Sequence, residues 1–160
     1  MLDAPHIELD GIFHQPGWTE LDDEEFRSRV HQATEAPRWV VDGNYSAVRQ
    51  VVWAKADTVA WFDLPRATVL ARTVRRTLRR VVTRQELWNG NREPFSNLWS
   101  LDPHTSVIAW AATQHGPYRA RYEAAERDPE WSGLHFVRLR AQGDVDALLS
   151  ALASEPVREE

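Results

Sequence analysis

Apolar residues along this chain fall into two rhythms that alternate with each other. Short runs rich in Val, Ile and aromatics occur at residues 5–9, 39–41, 58–64 and 134–139. The first three close abruptly on a carboxylate and turn residues: Asp10-Gly11, Asp42-Gly43-Asn44-Tyr45 and Asp63-Leu64-Pro65. Runs this short, bounded by turn chemistry, predict buried strands. Between them the apolar spacing changes to helical. Asp22 is placed to cap a helix carrying Phe26, Val30 and Ala33 on one face, with Glu25 three residues on and acids at the positive end of the dipole. A short helix over 46–54 buries Val48, Val51 and Val52. A long one over 66–82 follows Pro65 and buries Val69, Leu70, Val74, Leu78 and Val81.

Beyond that helix, Thr83-x-x-Glu86 has the form of a capping box opening a new helical turn. Residues 87–94 form a polar loop around Trp88. Residues 106–114 are expected to be helical with Val107, Ile108, Trp110 and Ala111 inward, and Gly116-Pro117 to stop that helix. Residues 118–127 make a further helix. Residues 144–153 make a last one, with Val145, Leu148 and Leu149 inward, before a charged tail at 155–160. The β-α-β-α-β order implies a parallel sheet flanked by helices in one α/β domain over residues 1–154. Ligands of such sheets bind beyond the carboxyl ends of the strands, so Asp10, Asp42 and Asp63 are expected to gather at one functional edge.

Composition narrows the function. With 19 basic and 24 acidic residues in 160, no global charge points to nucleic acid or an anionic membrane. No cysteine means no disulfide, thiolate catalysis or Cys-based zinc site. The six histidines show no His-x-x-x-His spacing, so no metal site is assigned, and His6 and His135 are expected in strands, in the core or at its edge. No Gly-x-Ser-x-Gly elbow marks a triad hydrolase. No apolar run reaches the roughly 20 residues of a membrane helix, and residues 1–10 lack the form of a signal peptide. A cytoplasmic protein is the expectation. The eight tryptophans are expected mainly in the core, with Trp88 placed to stack on a base.

Three groups carry candidate chemistry. An aspartate closing a strand serves turns by itself, but Asp10 and Asp42 at one edge also suit orienting a hydroxyl acceptor, taking its proton, or holding magnesium through water. Asp63, directly before Leu64-Pro65, reads as a structural cap. Arg66, Arg72, Arg75, Arg76, Arg79, Arg80 and Arg84 follow one another with no acid between them. They either solubilise a helix face with their stems on apolar surface or clamp phosphates with guanidinium forks. Arg84 and Arg92, at the helix end and in the loop, suit a lid over residues 66–93. A basic helix also suits nucleic acid, against which the acidic remainder of the chain weighs.

Asp10, Asp42-Gly43-Asn44-Tyr45, Asp63-Leu64-Pro65, the arginine-rich helix and Glu86-Leu87-Trp88-Asn89-Gly90-Asn91-Arg92-Glu93 together resemble the adenylate-kinase-related P-loop NTPases known as topology-modulation proteins. The resemblance spans about residues 5–152 and is most specific over 87–93. It implies a nucleotide-kinase-like fold, ATP and Mg2+ as cofactors, and phosphoryl transfer to a small acceptor. It places Asp10 and Asp42 at the acceptor and magnesium side, Arg76, Arg80, Arg84 and Arg92 around the phosphates, and Gly43, Asn44, Tyr45, Trp88 and Asn89 against substrate.

The family pattern opens with a strand and a Gly-x-x-x-x-Gly-Lys-Ser/Thr loop ahead of the part matching Pro5. That loop occurs nowhere here, since Lys55 is the only lysine and sits between Ala54 and Ala56. Its amides and lysine hold the phosphates, so little or no kinase turnover is expected. The missing strand belongs between those ending at Asp42 and Asp63. Its loss leaves two edges unpaired unless they join each other or another chain. A non-catalytic module binding a phosphate-bearing ligand, with a homodimer as its assembly, is the alternative reading.

Overall fold

A computed structural model describes residues 4–103 and 105–154; the tail at 155–160 lies outside the described residues. β1 (His6–Glu8) runs directly into α1 (Leu9–Phe13), and a small antiparallel hairpin of β2 (His14–Gln15) and β3 (Thr19–Glu20) follows. Asp10 therefore lies in the first turn of a short helix, not in a loop after a strand. α2 (Asp23–Ala33) begins as its sequence dictates: the Asp22 carboxylate accepts from the Glu24 and Glu25 amides at 3.0 Å. Glu25 itself turns outward to Arg29, 2.7 Å away. Phe26 and Val30 are fully buried.

β4 (Val40–Asp42) pairs in parallel with β1, placing Asp42 opposite Glu8. A 3-10 turn leads into α3 (Arg49–Trp53), then β5 (Thr58–Phe62), then α4 (Arg66–Thr83). α5 (Val107–Ala125), β6 (His135–Leu139) and α6 (Gln142–Ser154) complete the order, with β6 parallel to β5. The fold is mixed α/β with parallel strand pairs, as the strand–helix alternation predicts. It is not one continuous sheet: β1–β4 and β5–β6 are separate two-stranded units. Both lean on one core of Leu9, Phe26, Val30, Val48, Val52, Trp53, Val59, Trp61 and Tyr122. Packing, and not a shared hydrogen-bond ladder, holds the two pairs together.

Several local expectations change. α4 buries Thr73, Thr77 and Val81, while Val74 and Leu78 remain 42% and 49% exposed. It packs on α5 and on the turn at Phe95–Leu98, which turns its threonine side inward. Thr83 opens no new helix. Arg84 takes a left-handed conformation (φ 48°) that ends α4, and Thr83 Oγ1 bonds back to the Arg79 carbonyl.

Nor does Gly116-Pro117 stop α5, which runs through both. Proline there removes one backbone donor, yet Ala111 before it and Tyr122 after it are both buried and anchor the two halves. Trp110 and Leu149, expected inward, are 46% and 53% exposed. Ala33, Val51, Val107 and Ile108 are only half-buried, and His6 and His135 are exposed. No helix among the described residues is long and apolar enough to cross a membrane.

Candidate functional site

The arginines of α4 build the most distinctive surface. Arg72, Arg75, Arg76, Arg79 and Arg80, with Gln85 beyond the helix end, line an open groove of about 380 Å³. Residues three, four and seven apart share a helical face, so this spacing gathers the guanidinium groups along one side. Among the described residues only Arg80 of the five forms an ion pair, to Glu93 at 3.6 Å. Glu93 is nearly buried and is fixed by Asn97, whose Nδ2 donates to its Oε1. The Arg80 guanidinium also lies 5.8 Å from the Trp88 ring centroid. Burial, then the like charge of Arg76, holds the Arg80 pKa below the usual arginine value, while Glu93 and Asp10 oppose that shift.

Trp88 connects the groove to Asp10. Its ring lies against Gly11, where an added Cβ would stand 2.9 Å from the indole Cδ1. Its Nε1 donates to Glu8 Oε2 at 2.7 Å. Asp10 in turn accepts a 2.6 Å hydrogen bond from the Tyr45 hydroxyl, and His14 Nε2 lies 3.3 Å from that oxygen. Burial first, and the bond to Asp10 second, pushes the Tyr45 pKa far above the usual phenol value. Because the phenol proton points to Asp10, the Tyr45 oxygen is free to accept from a hydrogen on His14 Nε2. His14 Nδ1 is buried with no hydrogen-bond partner among the described residues.

The other predicted residues divide between this region and the frame around it. Asp42 is exposed at the end of β4. Gly43 has φ +136°, and an added Cβ would meet Leu9 at 2.7 Å, so the close approach of the chain there excludes a side chain. Asn44 Oδ1 accepts from the Tyr122 hydroxyl at 3.0 Å, tying the end of β4 to α5. Asn89 donates to the Gly11 and His14 carbonyls at 3.0 and 2.6 Å. Asn91 accepts from the Trp18 amide and donates to the Gln15 carbonyl, both at 2.9 Å.

The 88–92 loop is thus clasped onto residues 8–18. Arg84 ends α4, and Arg92 pairs with Glu86 at 3.7 Å; neither lines the groove that Arg76 and Arg80 share. Asp63 is almost buried and held by Arg138 at 2.7 Å and Arg119 at 3.6 Å, so the carboxylate serves structure.

Sequence reasoning overlooked His14, Asn91 and Glu93. Their roles arise from contacts across 31 to 76 positions or from a burial no local pattern encodes. No family model, curated protein or solved structure matches this chain.

Proposed function

We propose that this chain is a P-loop-kinase-like α/β module that binds a small phosphate-bearing ligand, or a nucleotide, in the arginine groove of α4. One observation carries the reading: four guanidinium groups share a groove with no carboxylate paired to any of them among the described residues. Like charges held together cost free energy that an anion recovers, and guanidinium forks match phosphate oxygens bidentately. The resemblance of Asp10, Asp42-Gly43-Asn44-Tyr45 and the 86–93 segment to adenylate-kinase-related proteins supports the same ligand chemistry.

ATP with Mg2+ does not fit these residues as that family holds it. The only lysine, Lys55, directs its Nζ at the His31 carbonyl and at Thr34, at 3.3 to 3.5 Å. It closes the end of α2 and lines no part of the α4 groove. The arginines offer anion binding without the loop that would position a transferred phosphoryl group. This 160-residue chain is therefore expected to show no turnover with Mg-ATP.

Calorimetric titration with pyrophosphate tests the reading. Binding should weaken steeply with salt, and Arg76→Gln with Arg79→Gln should weaken it at least tenfold, because two charge-assisted contacts at about 1.5–3 kcal/mol each are removed. Unchanged affinity in that double variant would sink the groove as the site.

A further inference from the structure

A second cationic position lies away from the groove, under the turn that follows β4. Arg49 opens α3, its guanidinium 5.4 Å from the Trp53 ring centroid. Its Nη2 is buried and has no hydrogen-bond partner, and no carboxylate pairs with Arg49 among the described residues. Around it stand Tyr118, Tyr122 and Arg121 of α5, the charged and titratable groups that act on it electrostatically. Arg121 adds like charge where an acid would ordinarily be found.

The hydrogen bonding here leaves donors in excess. Tyr122 gives its proton to Asn44 Oδ1, which leaves the Asn44 amide N–H groups without an acceptor among the described residues. Asn44 belongs to the turn just past the carboxyl end of β4, where parallel α/β units bind their ligands. A buried guanidinium nitrogen with no acceptor carries a desolvation penalty, and a second arginine beside it increases that penalty. An oxyanion between the two would relieve both and would offer acceptors to Asn44.

We infer that Arg49, Arg121 and Asn44 form a second anion site, specific for a phosphate group and separate from the α4 groove. Tyr122 positions Asn44 through its hydrogen bond. The stacking of Arg49 on Trp53 orients its guanidinium. The ligand is the phosphate group itself, supplied either as the free anion or as a monoester.

Thermal melts of the full chain test the site, with inorganic phosphate, glycerol phosphate, or sodium chloride at matched ionic strength. Phosphate at 100 times its dissociation constant should raise the melting temperature by about 5–10 °C over the chloride control. Arg49→Met should melt no lower than the parent without phosphate, because an uncompensated charge is removed, and should lose the part of the phosphate-dependent rise that the groove variant keeps. Arg121→Gln, a change at an exposed side chain, should at least halve the rise while leaving the fold intact.

The pair Arg76→Gln and Arg79→Gln should keep the Arg49-dependent part of the rise, so the groove reading and this one fail separately. A rise with glycerol phosphate as well assigns the site to phosphate esters; a rise with inorganic phosphate alone assigns it to the free anion. The inference is overturned if Arg49→Met retains the full rise, if it melts several degrees lower without phosphate, or if the parent shows no rise over chloride.

Discussion

At the scale of single residues, tyrosine is the most informative type. The chain has three, at positions 45, 118 and 122, and all three are held above the ordinary phenol pKa, with burial the leading cause in each. A group whose folded pKa is raised contributes stability below its unfolded pKa and loses it as pH climbs past that value. The unfolded phenol titrates near pH 10, so the loss begins there and belongs to the alkaline side. Tyrosinate absorbance at 295 nm should stay flat through pH 10 in the native protein and then rise together with loss of the far-UV helical signal. A smooth native-state titration centred near pH 10 would show these phenols to be open to water. Tyr45→Phe should shift the alkaline unfolding midpoint upward and should free Asp10 of its hydrogen bond.

At the scale of elements, the 88–92 loop shows how a polar stretch can act as a fastener. Asn91 is buried, and its amide ties the Trp18 backbone to the Gln15 backbone across more than seventy positions. Asn91→Ala leaves a partly buried amide and a partly buried carbonyl without that partner, at about 1–3 kcal/mol in total. Urea unfolding should show a loss of that size, and proteolysis should open the 14–20 hairpin first. A change under 0.5 kcal/mol would mean that water replaces the side chain at no net cost. α4 makes a related point. Its apolar positions suit several inward faces, and the face actually buried carries Thr73 and Thr77, because α5 and the 95–98 turn cover that side.

At the scale of the whole molecule, the two parallel pairs are the defining feature. Among the described residues β4 and β5 each hydrogen-bond to one neighbouring strand, and Val40 and Phe62 on them are 39% and 53% exposed. Free strand edges beside exposed apolar side chains are templates for pairing with another chain. A homodimer, the assembly of the alternative sequence reading, is our proposal for how these edges are covered. Sedimentation velocity at micromolar concentration should reveal a concentration-dependent dimer, and Phe62→Lys should shift the population to monomer. A single monomeric species across the concentration range would remove self-pairing as the answer.

What the sequence determined by itself was everything that depends on neighbours within a few positions. The Asp22 cap, the existence of the four main strands to within two residues, the arginine run and the turn at Gly43 follow from side-chain period, capping chemistry and glycine's freedom at positive φ. Choices among local alternatives of similar energy were left to long-range packing. Val107–Ala125 is one helix through Pro117 because burial on both sides outweighs one missing donor. Asp10 enters a helix and meets Tyr45, 35 positions away. Arg76 and Arg80 share a groove, Arg84 ends a helix, and the buried Nη2 of Arg49 finds no acceptor among the described residues, although all four are the same residue type. The physical reason is common to these cases: a side chain's partner is set by which elements the core brings together, and packing across the chain carries more free energy than the local preferences it overrides.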